Sequence, residues 1–109
     1  MTLTITKPQA IDIQLKDVLA HFPTISIAIL FGSVSSGRQR ADSELDIAVG
    51  AKRELTADEK MVLVDALAES TGRPIDLVDL RVVSGPLLGQ IFRHGRRVIG
   101  IDPFLWRTD

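Results

Sequence analysis

Three carboxylates and a glycine–serine pair carry the chemistry this sequence offers. Glu44 and Asp46 stand two apart at the mouth of a hydrophobic stretch, Leu45–Val49, and Asp76 interrupts another, Ile75–Leu80. Side chains two apart in a strand point to one side, so Glu44 and Asp46 project together while Leu45, Ile47 and Val49 face away. Neighbouring carboxylates repel unless a cation or a shared proton compensates. Mg²⁺ takes oxygen ligands and is commonly held by one or two carboxylates together with substrate phosphates. Asp76 shares a side with Val78 and Leu80, whereas Asp79 points oppositely. If the second and third strands are neighbours, Asp76 joins Asp46, either to ligate the ion or to take the proton of an attacking hydroxyl.

Gly32 and Ser33 follow directly on the run Ile25–Phe31. A glycine there lets the backbone approach a ligand closely, and exposed N–H groups with the Ser33 hydroxyl suit a phosphate. No Gly-Lys-Ser/Thr follows, so this is not a P-loop. Gly37 helps the chain turn back, and Arg38 or Arg40 can reach phosphates. Each feature also has a plain reading taken alone. Gly-Ser is a turn, Glu44 and Asp46 a solvated strand start, and Asp76 a strand-mouth residue bonded to a loop. Arg38, Arg40, Arg53 and Arg73 are most simply solvated surface. His21 and His94 read as helix-end residues and form no zinc pattern.

The elements that must position these residues are legible from periodicity. Ile11, Leu15, Val18, Leu19 and Phe22 form a helical stripe that Pro23 ends. Ile25–Phe31 is apolar and β-branched, as suits a central strand covered on both faces. Gly32–Ser43 is a loop, with room for a short helical turn at Val34–Ser36, and Leu45–Val49 is the second strand. Thr56 and Glu59 make a capping box for a second helix, whose buried face is expected to include Met61, Val64 and Ala68 flanked by Leu63 and Leu67, with Gly72 as its cap. Ile75–Leu80 is the third strand. Ser84, Pro86, Leu87, Leu88, Ile91 and Phe92 describe a third helix closed by Gly95, and Val98–Ile101 a short edge strand. The expected fold is α/β or α+β, a small mixed sheet of three to four strands with helices packed mainly on one face.

With 109 residues, one domain is expected, its core over about 11–101 and a tail at 102–109. The tail holds Phe104 and the lone tryptophan, Trp106. These aromatics suit either local packing or a partner anchor. Thirteen basic residues against 14 acidic ones give no electrostatic case for wrapping nucleic acid. Cysteine is absent, which excludes a disulfide scaffold, a thiol nucleophile and a thiolate zinc site. Neither a signal peptide nor a run of membrane-spanning length is visible, so a cytoplasmic protein is expected.

Taken together, the stretch FGSVSSGRQRADSELDIAV from Phe31 to Val49 resembles the signature of the minimal nucleotidyltransferases, small members of the polymerase-β-like superfamily. Their pattern is Gly-Ser, a short segment with another glycine, Asp-x-Asp opening the next strand, and a third Asp on a later strand. The run Leu87–Gly95 and the strand after it also look like the family, and the resemblance covers roughly Leu15 to Ile101. It implies that Gly32 and Ser33 position the nucleotide's phosphates, with Gly37 as the glycine of the connecting segment, and that Glu44, Asp46 and Asp76 are the metal ligands and catalytic carboxylates. Arg38 joins the nucleotide-binding candidates from the loop reading above. It implies a nucleotidyltransferase fold, two Mg²⁺ ions, and transfer of AMP from ATP to a hydroxyl. Stand-alone relatives are antitoxins paired with all-helical HEPN-domain toxins, so a HEPN-type toxin is the implied partner and acceptor. Glu44 stands where the family has its first Asp, and Ser36 where an arginine is usual. Two other readings therefore stay open: a binding-only antitoxin or interaction module of the same fold, and a transferase acting on a small molecule or nucleic acid. Self-association stays open as well.

Overall fold

The computed structural model describes residues 10–32 and 44–100. Seven elements follow in order: α1 (Ala10–Leu19), β1 (Ile27–Phe31), β2 (Leu45–Gly50), α2 (Ala57–Thr71), β3 (Ile75–Asp79), α3 (Gly85–His94) and β4 (Arg96–Gly100). The strands form one mixed sheet in the order β3-β2-β1-β4. β1 pairs antiparallel with β2 and with β4, while β2 and β3 run parallel, joined through α2. A parallel pair requires such a crossover, and the crossover helix covers a sheet face. The expected fold is thus observed, with β4 as an edge strand.

Alternation along the strands divides the interior. Ala28 and Leu30 of β1, Leu45, Ile47 and Val49 of β2, and Val98 of β4 pack on one face against Ile11, Leu15 and Leu19 of α1 and Leu63 and Leu67 of α2. The opposite face buries Ile27, Ile29 and Ala48 beneath Leu80 and Ile91, with Phe31, Val78, Leu88 and Phe92 half-buried around them. Two helices therefore seal one face, and among the described residues α3 covers part of the other. β1 is buried on both sides from Ile27 to Leu30, which accounts for its unbroken apolar sequence.

Local signals set the bounds of α2. The Thr56 side chain accepts from the Glu59 N–H at 3.1 Å while Glu59 accepts from the Thr56 N–H at 2.8 Å, and Gly72 closes the helix at φ +70°. Its buried face is narrower than expected, for Met61 is 62% exposed while Leu63 and Leu67 are buried and Val64 and Ala68 half-buried. At 3.6 residues per turn, Met61 lies about 200° around the helix from Leu63, and so on the outer side. Arg73 also departs from its expected place on the surface, being only 8% exposed. It precedes Pro74, whose carbonyl accepts from the Leu45 N–H at 2.9 Å, so the α2–β3 turn is drawn against the start of β2. A long arginine stem tolerates such covering.

Asp79 anchors the far end of the sheet. Its carboxylate, 5% exposed, accepts from the Leu55 N–H and the Arg81 N–H, each at 2.8 Å. The Arg81 side chain in turn donates to the Ala51 carbonyl at 2.8 Å. At the other end, Arg96 and Asp12 pair at 2.8 Å and tie the start of β4 to the start of α1. Asp79→Ala strands two N–H donors near the protein interior and is expected to cost about 2 kcal/mol. Thr56→Ala removes only a cap and is expected to cost about 1 kcal/mol. Chemical denaturation of the two variants should rank them in that order.

Candidate metal centre

β2 and β3 bring the acidic residues together by register. Across the parallel pair Asp46 stands opposite Asp76, and across the antiparallel pair Asp46 stands opposite Phe31. Both aspartates face the side that α3 only partly covers, since Ala48 and Val78, two residues further along, pack there. Glu44 lies just before β2 on the same side. One carboxylate oxygen from each of Glu44, Asp46 and Asp76 lies within 4.8 Å of the other two. The added methylene of Glu44 therefore leaves its carboxylate within reach of the cluster.

Exposure falls inward. Glu44 and Asp76 are exposed and Asp46 is half-buried. Asp76 needs no buried partner, because β3 is an edge strand and the residue opens to solvent. Burial, followed by the negative charges of Asp76 and Glu44 and a hydrogen bond to Asp76, holds the Asp46 carboxyl above its ordinary range. No lysine or arginine forms a salt bridge with any of the three among the described residues. A cluster of oxygen donors with repelling charges and an open side fits a hard divalent cation.

Gly32 belongs to this centre for a reason that the sequence reading did not anticipate. It takes φ +78°, and a β-carbon there would run into the Asp46 carboxylate. The glycine thus serves the acidic cluster directly, in addition to any approach to a ligand. The antiparallel register of β1 and β2, which a strand-loop-strand pattern leaves undetermined, was the missing signal. Phe31 was likewise missed. It lies half-buried opposite Asp46 and forms the apolar flank of the cluster. Ser33, Gly37, Arg38 and Arg40 lie outside the described residues, as do Ser35, Ser36, Ser43 and the tail aromatics Phe104 and Trp106. Arg53 is on the surface and pairs with Glu59 at 3.0 Å, away from the cluster.

The raised Asp46 pKa has a defined consequence for stability. A carboxyl that holds its proton more tightly when folded favours folding in acid, and that contribution is lost as pH rises through its folded pKa. Asp46→Asn should therefore gain stability over the parent chain as pH rises into the neutral range, with the difference shrinking in acid. Added Mg²⁺ should raise the melting temperature of the parent at neutral pH and leave that of Asp46→Asn nearly unchanged. Thermal melts across pH, with and without magnesium, check both. Gly32→Ala should lose the magnesium response as well, because its methyl group displaces the Asp46 carboxylate.

Comparison with known proteins agrees with this geometry. Residues 13–104 match the family described as Polymerase beta, Nucleotidyltransferase. Over 80 residues the chain is 36% identical to the protein adenylyltransferase MntA of Shewanella oneidensis, a match covering 73% of this chain and 58% of that protein. It therefore spans less than two thirds of the relative's length. A crystal structure of a toxin-antitoxin with AMP-PNP is similar at a TM-score of 0.78 and 33% identity, over 87% of this chain and 79% of that one. A structure of tri-AMPylated Shewanella oneidensis HEPN toxin in complex with MNT antitoxin gives a TM-score of 0.70 at 30% identity, over 85% of this chain and 72% of that one. No described helix is long and apolar enough to cross a membrane. With its sheet order, its acidic cluster and a family match across most of its length, the chain belongs to the polymerase β nucleotidyltransferase family.

Proposed function

We propose that this chain is a magnesium-dependent nucleotidyltransferase that moves AMP from ATP to a hydroxyl of a HEPN-type partner toxin, and that it acts as the antitoxin of that pair. The observation that carries the reading is the register of Asp46 opposite Asp76, with Glu44 beside them on the open sheet face. The similar structures support the choice of partner and of adenine nucleotide, since one is a toxin-antitoxin with AMP-PNP and another contains an AMPylated HEPN toxin.

In this reading Glu44, Asp46 and Asp76 hold the metal, and Gly32, Ser33, Gly37 and Arg38 take the triphosphate. Bound there, magnesium would neutralise the triphosphate and polarise its phosphorus–oxygen bonds. The acceptor oxygen attacks the α-phosphorus, a new phosphorus–oxygen bond forms, and the bond to the β-phosphate breaks to release pyrophosphate. Asp76 is the more exposed of the two facing aspartates and is open to an incoming side chain, so it is assigned the acceptor's proton. Phe31 and the half-buried Val78 give the centre an apolar border on the side of the sheet. Glu44 and Asp76 are exposed, which suits an acceptor presented by another protein.

Glu44 in place of aspartate favours one competing reading, in which the same fold binds the toxin without turnover. The two readings separate in a single assay. Incubation of the co-purified pair with α-labelled ATP and magnesium should label the partner protein, and Asp76→Asn should reduce labelling by roughly 10²-fold or more without changing the circular dichroism spectrum. Glu44→Asp should preserve or raise transfer, and Glu44→Ala should lose magnesium binding in calorimetry. A partner that stays unlabelled although the complex forms would establish the binding-only reading.

A further inference from the structure

β3 is an edge strand, with β2 on one side and no described strand on the other. In a parallel ladder each residue of one strand bonds to the residues before and after its partner on the other. The Leu45 N–H donates to the Pro74 carbonyl and the Leu80 N–H to the Val49 carbonyl, each at 2.9 Å, and the register from Leu45↔Ile75 to Val49↔Asp79 links these two ends. Pro74, Asp76, Val78 and Leu80 thus turn their backbone groups toward β2. Ile75, Leu77 and Asp79 turn theirs outward.

The outward row is closed at its far end. The Asp79 carbonyl accepts from the Val82 and Val83 N–H groups at 3.0 and 3.1 Å, so the chain after β3 occupies the edge there. Among the described residues nothing bonds to the outward N–H and C=O of Ile75 or Leu77. These are the two neighbours of Asp76. The unpaired stretch of edge therefore flanks the carboxylate assigned the acceptor's proton, and a row of unpaired donors and acceptors is a template for another extended chain.

Side chains set what such a chain must carry. Asp76 is exposed on the face of the cluster, whereas Ile75 and Leu77 point to the other face and pack half-buried against the main core. An antiparallel segment would exchange both bonds with Ile75 and both with Leu77, and its middle residue would stand opposite Asp76 in a non-hydrogen-bonded pair. Cβ atoms of such a pair are about 4.5–5.5 Å apart on one face, which brings a hydroxyl side chain within reach of the carboxylate. The residues before and after it would fall on the face of Ile75 and Leu77 and extend their apolar surface.

We propose that the partner's acceptor hydroxyl is carried by an extended segment with an apolar residue on each side of it, and that this segment adds to β3 as a strand along Ile75–Leu77. The proposal rests on the reading of Asp76 as the group that receives the acceptor's proton. Docking is read through backbone amides and transfer through labelling, so the failure of one is distinct from the failure of the other.

Amide hydrogen exchange of the full chain, free and in the co-purified pair, tests the docking. The Ile75 and Leu77 amides should exchange quickly in the free chain and about tenfold or more slowly in the complex. Those of Asp76 and Val78 already bond to β2 and should change less. Ile75→Pro removes an outward donor but no ladder bond, and proline is tolerated as the first residue of a strand. It should lower labelling of the partner from α-labelled ATP about tenfold, whereas Ile75→Val, which keeps the donor, should label as the parent does. Both variants should keep the magnesium-dependent rise in melting temperature, which reports an intact acidic centre. Ile75 and Leu77 amides that exchange alike in the free chain and in the complex would overturn the proposal, whether or not the partner is labelled. So would undiminished labelling by a folded Ile75→Pro. Protection already present in the free chain and lost on dilution would give the edge to a second copy and overturn it as well. Protected amides beside an unlabelled partner would uphold the docking and reject nucleotidyl transfer.

Discussion

Like charges held side by side on one face of a sheet are the constraint on which the rest of this structure turns. Asp46 and Asp76 face each other across a parallel strand pair, and Glu44 adds a third negative group within 4.8 Å. Such an arrangement is unfavourable without a cation, and the Asp46 carboxyl is held above its ordinary range by its burial first and by the charges of Asp76 and Glu44 second. The frame must be rigid enough to hold the three carboxylates together against their repulsion. It does so by burying β1 on both faces and sealing the opposite side of β2 with two helices. The repulsion is thereby offset by apolar contacts that the acidic residues do not themselves make.

The division of labour between the sheet faces follows from the same constraint. Leu45, Ile47 and Val49 anchor β2 into the main core, so the residues between them must point to the other face. There α3 covers the part of the sheet nearest Ile29 and Leu80, while Glu44 and Asp76 at the start of β2 and β3 are exposed. The position of Gly32 completes the arrangement. The backbone turns sharply at the end of β1 where any side chain would occupy the space of the Asp46 carboxylate. A glycine at a strand end is usually a matter of turn geometry. Here it also makes room for a charged group.

Much of this was readable before any coordinates. The capping residues of α2 are local hydrogen-bonding partners three residues apart, so Thr56 and Glu59 marked its start and Gly72 its end. The apolar run of β1 marked an interior strand, and the two-residue spacing of Glu44 and Asp46 put them on one side. What a single strand's pattern cannot reveal is register. That Phe31 faces Asp46, and that Gly32 abuts its carboxylate, depends on how β1 and β2 slide past each other, which the intervening loop leaves undetermined. Met61 and Arg73 were misplaced for a related reason. Periodicity shows that a helix has an apolar side but not how wide a sector its neighbours cover, and Arg73 is buried in a turn whose next residue, Pro74, is bonded to the distant start of β2. Asp79 illustrates the converse, a carboxylate in the same strand as Asp76 that serves only to hold backbone donors.

The central claim, that Glu44, Asp46 and Asp76 converge on one divalent cation, is tested most directly by anomalous diffraction from a crystal soaked in Mn²⁺. The expected result is a strong peak bounded by oxygens of all three side chains beside Gly32. A map with no anomalous peak there, or with manganese bound elsewhere while the three carboxylates remain apart, would contradict it.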